Sequence, residues 1–211
     1  NFLALRVRTL CNMGAYLSTF APAVPTYLYA TLLAGVYRTP AIYAEVKAVF
    51  THTVPVDAYR GAGRPETAYV LERLLDAGAA AFGIGRDEIR RRNYIRPEQI
   101  PYTNAAGNPI DSGRFGETQE MALRLADWAG FPARQAEARA RGKRRGIGLA
   151  YYLEATGGGP TERAEVRFAK DDMVEVLVGT QSTGQGHETA YAMMTSHELG
   201  VPIERIRIIQ G

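Results

Sequence analysis

Leu3, Leu5, Val7 and Thr9 alternate with Ala4, Arg6, Arg8 and Leu10, and this period of two predicts a strand at the start of the chain. Pro22 and Pro25 suit the first turn of a helix running over residues 26–36, an apolar stretch expected to be buried. Residues 41–51, with Ile42, Val46, Val49 and Phe50, fit a strand, although Ala44-Glu45-Val46-Lys47 leaves a helix open. Tyr69, Leu71, Leu74 and Leu75 then recur at helical spacing within residues 66–82, with Gly83 or Gly85 as the stop. Asp87 is the expected N-cap of a short helix over 88–93.

Three prolines and two glycines within residues 96–113 break the periodicity and mark a linker. Beyond it, residues 118–129 and 133–141 read as helices. Residues 146–153, 162–169 and 173–178 read as strands, with Asp171-Asp172 as the hairpin turn between the last two. A helix over 188–199 and a strand over 203–209 close the pattern. The order hairpin, helix, strand predicts an α+β architecture.

The chain has 211 residues, enough for one sizeable core or two small ones, with 46% hydrophobic and 22% charged residues. One cysteine, Cys11, excludes an internal disulfide framework and fits a reducing, cytoplasmic setting. No apolar run is long enough to span a bilayer, because Pro22 and Pro25 interrupt the best one. The net charge is +3, yet arginines gather at Arg86, Arg90, Arg91, Arg92 and Arg96 and again around Arg134–Arg145. Without interleaved aromatic platforms these clusters predict solvated helix faces or subunit contacts, and no nucleic acid.

Two glycine-bearing loops carry the candidate chemistry. In Gln181-Ser182-Thr183-Gly184-Gln185-Gly186-His187-Glu188-Thr189 a strand runs through two glycines into a helix start. Glycines let the backbone approach a ligand, and the free N–H groups at a helix N-terminus favour anions; a plain tight turn is the alternative. The other loop, Tyr59-Arg60-Gly61-Ala62-Gly63-Arg64, offers an arginine fork to a phosphate or carboxylate. Equally, Arg60 could pin its own loop through Glu66 or Asp57. His187 and His197 are ten positions apart and do not suggest a shared metal.

Together the two loops resemble the molybdopterin-binding large subunit of the molybdenum hydroxylases, the xanthine dehydrogenase and aldehyde oxidase family, and in particular its carbon monoxide dehydrogenase large-subunit branch. The likeness extends through Gly14-Ala15-Tyr16-Leu17-Ser18-Thr19, Val24-Pro25-Thr26-Tyr27-Leu28-Tyr29, Ile89-Arg90-Arg91-Arg92-Asn93-Tyr94 and Gly142-Lys143-Arg144-Arg145-Gly146-Ile147. It implies the C-terminal part of a first molybdopterin-binding domain over 1–95, a linker over 96–113 and the N-terminal part of a second such domain over 114–211, each a mixed sheet with packed helices.

By the same resemblance Tyr59, Arg60, Gly61, Ala62, Gly63 and Arg64 form an active-site loop. Gln181, Gly184, Gln185, Gly186, His187, Glu188 and Thr189 hold a molybdenum–molybdopterin cofactor, its cytosine dinucleotide form left open, and no protein side chain ligates the metal directly. Gly61 stands where the carbon monoxide enzymes carry a copper-binding cysteine, and Ala62 where the purine-oxidising members carry a stacking phenylalanine. An aldehyde or N-heteroaromatic substrate, with water as oxygen source, is what remains. Glu154 resembles a family acid that precedes a glycine-rich loop, here Thr156-Gly157-Gly158-Gly159. The family's general-base glutamate, in a Gly-x-Gly-Glu context, has no match in these residues. The resemblance therefore implies an internal piece of a larger subunit, catalytically silent by itself. Iron–sulfur clusters and FAD are expected on partner subunits or domains. A noncatalytic module that keeps the fold for binding or assembly is the alternative.

Overall fold

The computed structural model describes residues 1–154 and 161–211, and the chain divides into two compact units, Asn1–Glu154 and Ala155–Gly211. The Thr156–Gly159 run lies outside the described residues. The fold is α+β in both units.

In the first unit β1 (Leu5–Asn12) pairs in parallel with β2 (Ile42–Val49), Leu5 opposite Ile42 and Asn12 opposite Val49. The strand alternative for residues 41–51 therefore prevails over the helical one. Between the two strands the expected helix over 26–36 is replaced by short pieces. These are a 3₁₀ turn (Ala21–Ala23), a π turn (Val24–Leu28) and a single α turn, α1 (Tyr29–Thr31). Pro22 and Pro25 supply no N–H, and Thr26 turns its hydroxyl back to the Pro22 carbonyl, so a regular α ladder cannot start there. Burial is as expected all the same: Tyr29, Leu33, Ala34, Val36 and Tyr37 are enclosed. Each such large apolar side chain removed from water stabilises the fold by about 1.5–3 kcal/mol.

Helix α2 (Arg64–Phe82) lays Thr67, Leu71, Leu75 and Ala79 on one face, a spacing of four that packs against Leu5, Tyr29 and Leu33 at one end and Val36 and Tyr37 at the other. Gly83, left-handed, ends it by donating to the Ala79 and Ala80 carbonyls. The next helix, α3 (Arg86–Arg91), is capped by Gly85 rather than Asp87; Asp87 sits in its first turn and pairs with Arg91 at 3.3 Å.

Residues 96–113 hold one two-residue ladder, β3 (Tyr102–Thr103) with β4 (Pro109–Ile110), and Ile110 joins the buried cluster of Val36, Leu75 and Ile95. Helices α4 (Phe115–Leu125) and α5 (Phe131–Ala140) follow. Residues 146–153, expected as a strand, pair with no strand among the described residues. Their carbonyls are taken by arginines instead, Ile147 by Arg86 Nη2 at 3.2 Å and Leu149 by Arg90 Nη2 at 3.0 Å.

Arg90 also departs from the sequence reading. Instead of a solvated face it is fully buried, donating through Nε to Glu72 Oε2 at 2.7 Å and through Nη2 to Asp76 Oδ1 at 3.0 Å. Tyr37 donates to the other Glu72 oxygen at 2.5 Å. Burial, the largest single influence, would lower the Arg90 pKa, but the Glu72 charge and the hydrogen bonds to Glu72 and Asp76 together outweigh it, and the guanidinium is held more firmly charged than usual.

In the second unit β5 (Ala164–Phe168) and β6 (Val174–Val178) form an antiparallel hairpin, closed by Ala169 N–H on the Met173 carbonyl at 2.8 Å and by left-handed Asp172. Helix α6 (His187–Leu199) then crosses over so that β7 (Ile206–Gln210) lies parallel to β6. Val174, Val176 and Ala192 are its buried side chains.

Candidate functional site

The two candidate loops lie in different units, and each is built by its own neighbours. In the first, Gly61, Ala62 and Gly63 have φ of 88°, 43° and 88° in succession. Such a run bends the chain into the N-terminus of α2, where Gly63 is the cap. Gly63 is there because nothing larger fits: a Cβ would lie 2.4 Å from the Val24 carbonyl oxygen and 2.7 Å from the Tyr29 nitrogen. Its own carbonyl accepts from the Thr67 N–H and hydroxyl, both at 3.1 Å, and the same hydroxyl reaches the Tyr29 carbonyl at 2.8 Å. The irregular helical pieces and α2 thus close on one glycine.

The rest of that loop faces outward. Tyr59 and Arg60 are exposed, while Arg64 is partly covered and sets its Nε 3.0 Å from Glu154 Oε1. Asp57, one of the two acids weighed as a partner for Arg60, bonds the Ser18 hydroxyl and the Ala58 N–H, and both hold its carboxyl below the usual range. Beside β1 runs an open, mainly apolar groove of about 600 Å³ lined by Leu10, Cys11, Tyr29, Pro65, Glu66 and Tyr69 among others. It takes in the residues that follow the loop but none of residues 59–64.

In the second unit Gly184 and Gly186 both have positive φ, 97° and 75°, and Gly186 caps α6. Residues 181–186 are exposed. The first helical hydrogen bond comes only at Ala190 N–H to the Gly186 carbonyl, so the amides of His187, Glu188 and Thr189 carry the positive end of the helix outward. Gln185 does not point away from its loop: its Oε1 accepts from the Thr183 N–H and from the Thr183 hydroxyl at 3.1 Å. Its amide NH₂ has no partner among the described residues. His187 stacks on Tyr191, centroids 5.2 Å apart, and its buried Nδ1 has no hydrogen-bond partner among the described residues. Glu188 accepts from Gln210 Nε2 at 3.3 Å.

Tyr191 and Gln210 support this loop and were not singled out in the sequence. Tyr191, whose hydroxyl lies 3.2 Å from that of Thr180, falls four residues after His187 on one helix face, a spacing that could have revealed it. Gln210 carries no local signal, because its place beside Glu188 depends on the register of β7.

The fit to a bound anionic cofactor can be tested on the second loop. A Cβ on Gly186 would meet nothing within 4 Å among the described residues, and residues 181–186 are exposed. The amides, the Gln185 NH₂ and the His187 Nδ1 all suit an oxygen-rich, negatively charged group. Among the described residues no group of three or more His, Cys, Asp or Glu could hold a metal ion. No helix of the described residues is long and apolar enough to cross a membrane.

Comparison with known proteins places the chain in a family. The chain is 34% identical, over 99% of its length, to the carbon monoxide dehydrogenase large chain of Hydrogenophaga pseudoflava, covering 28% of that protein. It is equally 34% identical, over 99% of its length and 27% of the relative, to the 6-hydroxypseudooxynicotine dehydrogenase complex subunit gamma of Paenarthrobacter nicotinovorans. Among solved structures, quinoline 2-oxidoreductase from Pseudomonas putida 86 superposes with a TM-score of 0.85 at 36% identity, over 99% of this chain and 28% of that one. The chain thus spans little more than a quarter of the proteins it resembles. Residues 1–94 match the family described as molybdopterin cofactor-binding domain, residues 121–211 match a second family of the same description, and the chain belongs to the molybdopterin-binding domains of the molybdenum hydroxylases.

Proposed function

We propose that the chain is part of the large subunit of a molybdenum-dependent hydroxylase that oxidises an aldehyde or N-heteroaromatic substrate with water as the oxygen source. The observation that carries this is the second loop, where left-handed Gly184 and Gly186 lead an exposed segment into a helix whose first amides have no acceptor among the described residues, in a chain whose family binds molybdopterin. When bound, the molybdenum–pterin group supplies two-electron redox chemistry. The chain's own residues hold and orient. Gly184, Gly186, His187, Glu188 and Thr189 present backbone N–H groups to the cofactor's anionic oxygens, Gln185 offers its amide, and Gln181 lies at the start of the same loop.

Residues 59–64 form the substrate side in this reading. Arg60 and Tyr59 project from a turn whose backbone is fixed by Gly63, so Arg60 can orient a polar atom of the substrate. Gly61 has no sulfur to hold copper, and a side chain there would be strained: φ is 88° and a Cβ would sit 2.9 Å from the Pro65 ring. That speaks against carbon monoxide as substrate despite the name of one relative. Ala62 provides no ring to stack on a purine. Quinoline and the nicotine derivative named for two of the relatives are nitrogen-bearing aromatic compounds, which supports the N-heteroaromatic side of the proposal. Electrons would leave through iron–sulfur and flavin partners, and the general base would come from outside these 211 residues.

The test is elemental analysis for molybdenum, with fluorescence of the oxidised pterin, on the purified protein at its natural length. Turnover of quinoline-type compounds and aldehydes against an artificial electron acceptor follows. Near-stoichiometric molybdenum with turnover of either class is the expected result. Protein from molybdate-replete cells without molybdenum or pterin would sink the reading in favour of a noncatalytic module.

A further inference from the structure

The turn at residues 61–63 is held on one side by close fit and by the Thr67 bonds to the Gly63 carbonyl. Gly63 is wedged against Val24 and Tyr29, while Tyr59 and Arg60 on the other side are exposed. In the middle stands Ala62, a residue with a side chain in the left-handed region, at φ 43°, a conformation that persists only where its surroundings impose it. The group that imposes it is Arg64. Its N–H and its Nη1 both donate to the Gly61 carbonyl, each at 3.2 Å, and so close the turn on itself. Arg64 in turn has its Nε 3.0 Å from Glu154 Oε1, an ion pair between a largely covered guanidinium and a half-exposed carboxylate. Partial cover weakens screening, so the pair holds better than one on the open surface.

We propose that Glu154 is a positioning residue that acts through Arg64. Its carboxylate fixes the guanidinium, the guanidinium fixes the Gly61 carbonyl, and the turn then presents the Arg60 side chain and the amides of residues 61–63 in one direction. This rests on the reading of residues 59–64 as the active-site loop. Glu154 reaches that loop from far along the chain, just after Leu153 has packed on the first unit's buried aromatic cluster, so its placement does not depend on the loop it controls.

Hydrogen exchange followed by mass spectrometry tests this in the purified protein, at its natural length and with any partner subunits it carries. The peptide covering residues 59–67 is compared with one from residues 71–79 inside α2. Glu154→Gln and Arg64→Gln are expected to speed exchange at the Arg64 and Thr67 amides about fivefold, the loss of one partly covered ion pair, while 71–79 stays unchanged. The charge swap Arg64→Glu with Glu154→Arg is expected to restore exchange to within about twofold of the parent. Glu154→Asp, which keeps the charge, provides a variant whose folding is not in question and is expected to stay near the parent. Unchanged exchange at 59–67 in Glu154→Gln, acceleration spread equally over 71–79, or a swap as fast as the single variants would each overturn the proposal. Molybdenum and pterin are measured on the same samples. A parent protein without them but with the expected exchange pattern would sink the functional reading and support the positioning of the turn.

Discussion

Replacing Arg90 with methionine should be among the most damaging single changes in the first unit, and the structure sets the size of the loss. The side chain is wholly enclosed and makes hydrogen bonds to Glu72 Oε2, the Glu72 carbonyl, Asp76, and the carbonyls of Arg86 and Leu149. Asp76 keeps a fifth of its side chain in water and can recover some solvation; Glu72, 6% exposed, cannot. Arg90→Met leaves the Glu72 carboxylate buried with the Tyr37 hydroxyl as its remaining side-chain partner among the described residues. Stranding one member of a buried pair costs about 3–5 kcal/mol, against a total of about 5–15 kcal/mol for an ordinary domain. With a urea slope near 2 kcal/mol per molar, the unfolding midpoint should fall by about 1.5–2.5 M.

Trp128, the chain's one tryptophan, lies under the Arg86 guanidinium in the same unit and reports the transition by fluorescence. Removing both charges, Glu72→Leu with Arg90→Met, should cost less than the single change, because no uncompensated ion remains. A loss below about 1 kcal/mol for Arg90→Met would refute the reasoning. So would a double variant whose loss equals the sum of the two singles.

Other consequences concern pH, the thiol and the glycines. Burial first, then the Glu72 charge, raises the Tyr37 pKa well above its ordinary value, and burial with Glu72 does the same for Tyr94. Their contribution to stability is therefore complete below about pH 10 and declines above it, by about 1.4 kcal/mol per pH unit for each ring; Tyr37→Phe should remove its share of that slope in urea titrations at pH 10–11. Cys11, buried and with its thiol pKa raised by burial and by Glu66, should react with iodoacetamide at pH 8 at least about tenfold slower in the native protein than in urea, as followed by mass spectrometry. Gly63→Ala should destabilise the first unit by about 2–4 kcal/mol, strain plus overpacking, read from the same urea transition. Gly186→Ala should cost only about 1 kcal/mol of strain yet lower the pterin content of the purified protein.

Much of the fold could be read from periodicity because the signals were local. The two-residue alternation of β1, the fourfold spacing on α2 and the hairpin at Asp171-Asp172 each depend on residues a few positions apart. The failures share the opposite property. Residues 146–153 alternate like a strand, but a strand is defined by its neighbour, and here the neighbours are the side chains of Arg86 and Arg90. Arg90 itself sits in a run of arginines that predicts a solvated face. Only the long-range approach of Glu72 and Asp76, on a different helix, makes its burial tolerable. The helix over 26–36 fails for a local reason that the sequence displays: two prolines within four positions leave too few N–H donors for regular α turns, and this loss exceeds their helix-starting tendency.

The candidate site was visible as glycines, and the sequence treats them as equivalent. The structure separates them by what surrounds the missing side chain. At Gly63 the space is taken by the protein's own backbone, so the glycine is explained by packing alone and would be needed whether or not the loop ever met a ligand. At Gly186 nothing of the chain lies within 4 Å of the absent Cβ. The left-handed φ explains why a glycine is favoured there, but not why a histidine nitrogen beside it is buried without a partner among the described residues. The exposed loop, the first amides of α6 and the His187 Nδ1, which have no acceptor or partner among the described residues, are the features a bound anion would use. Of the two loops, then, the geometry of the second argues for a ligand, and that of the first argues for rigidity in whatever Arg60 is held toward.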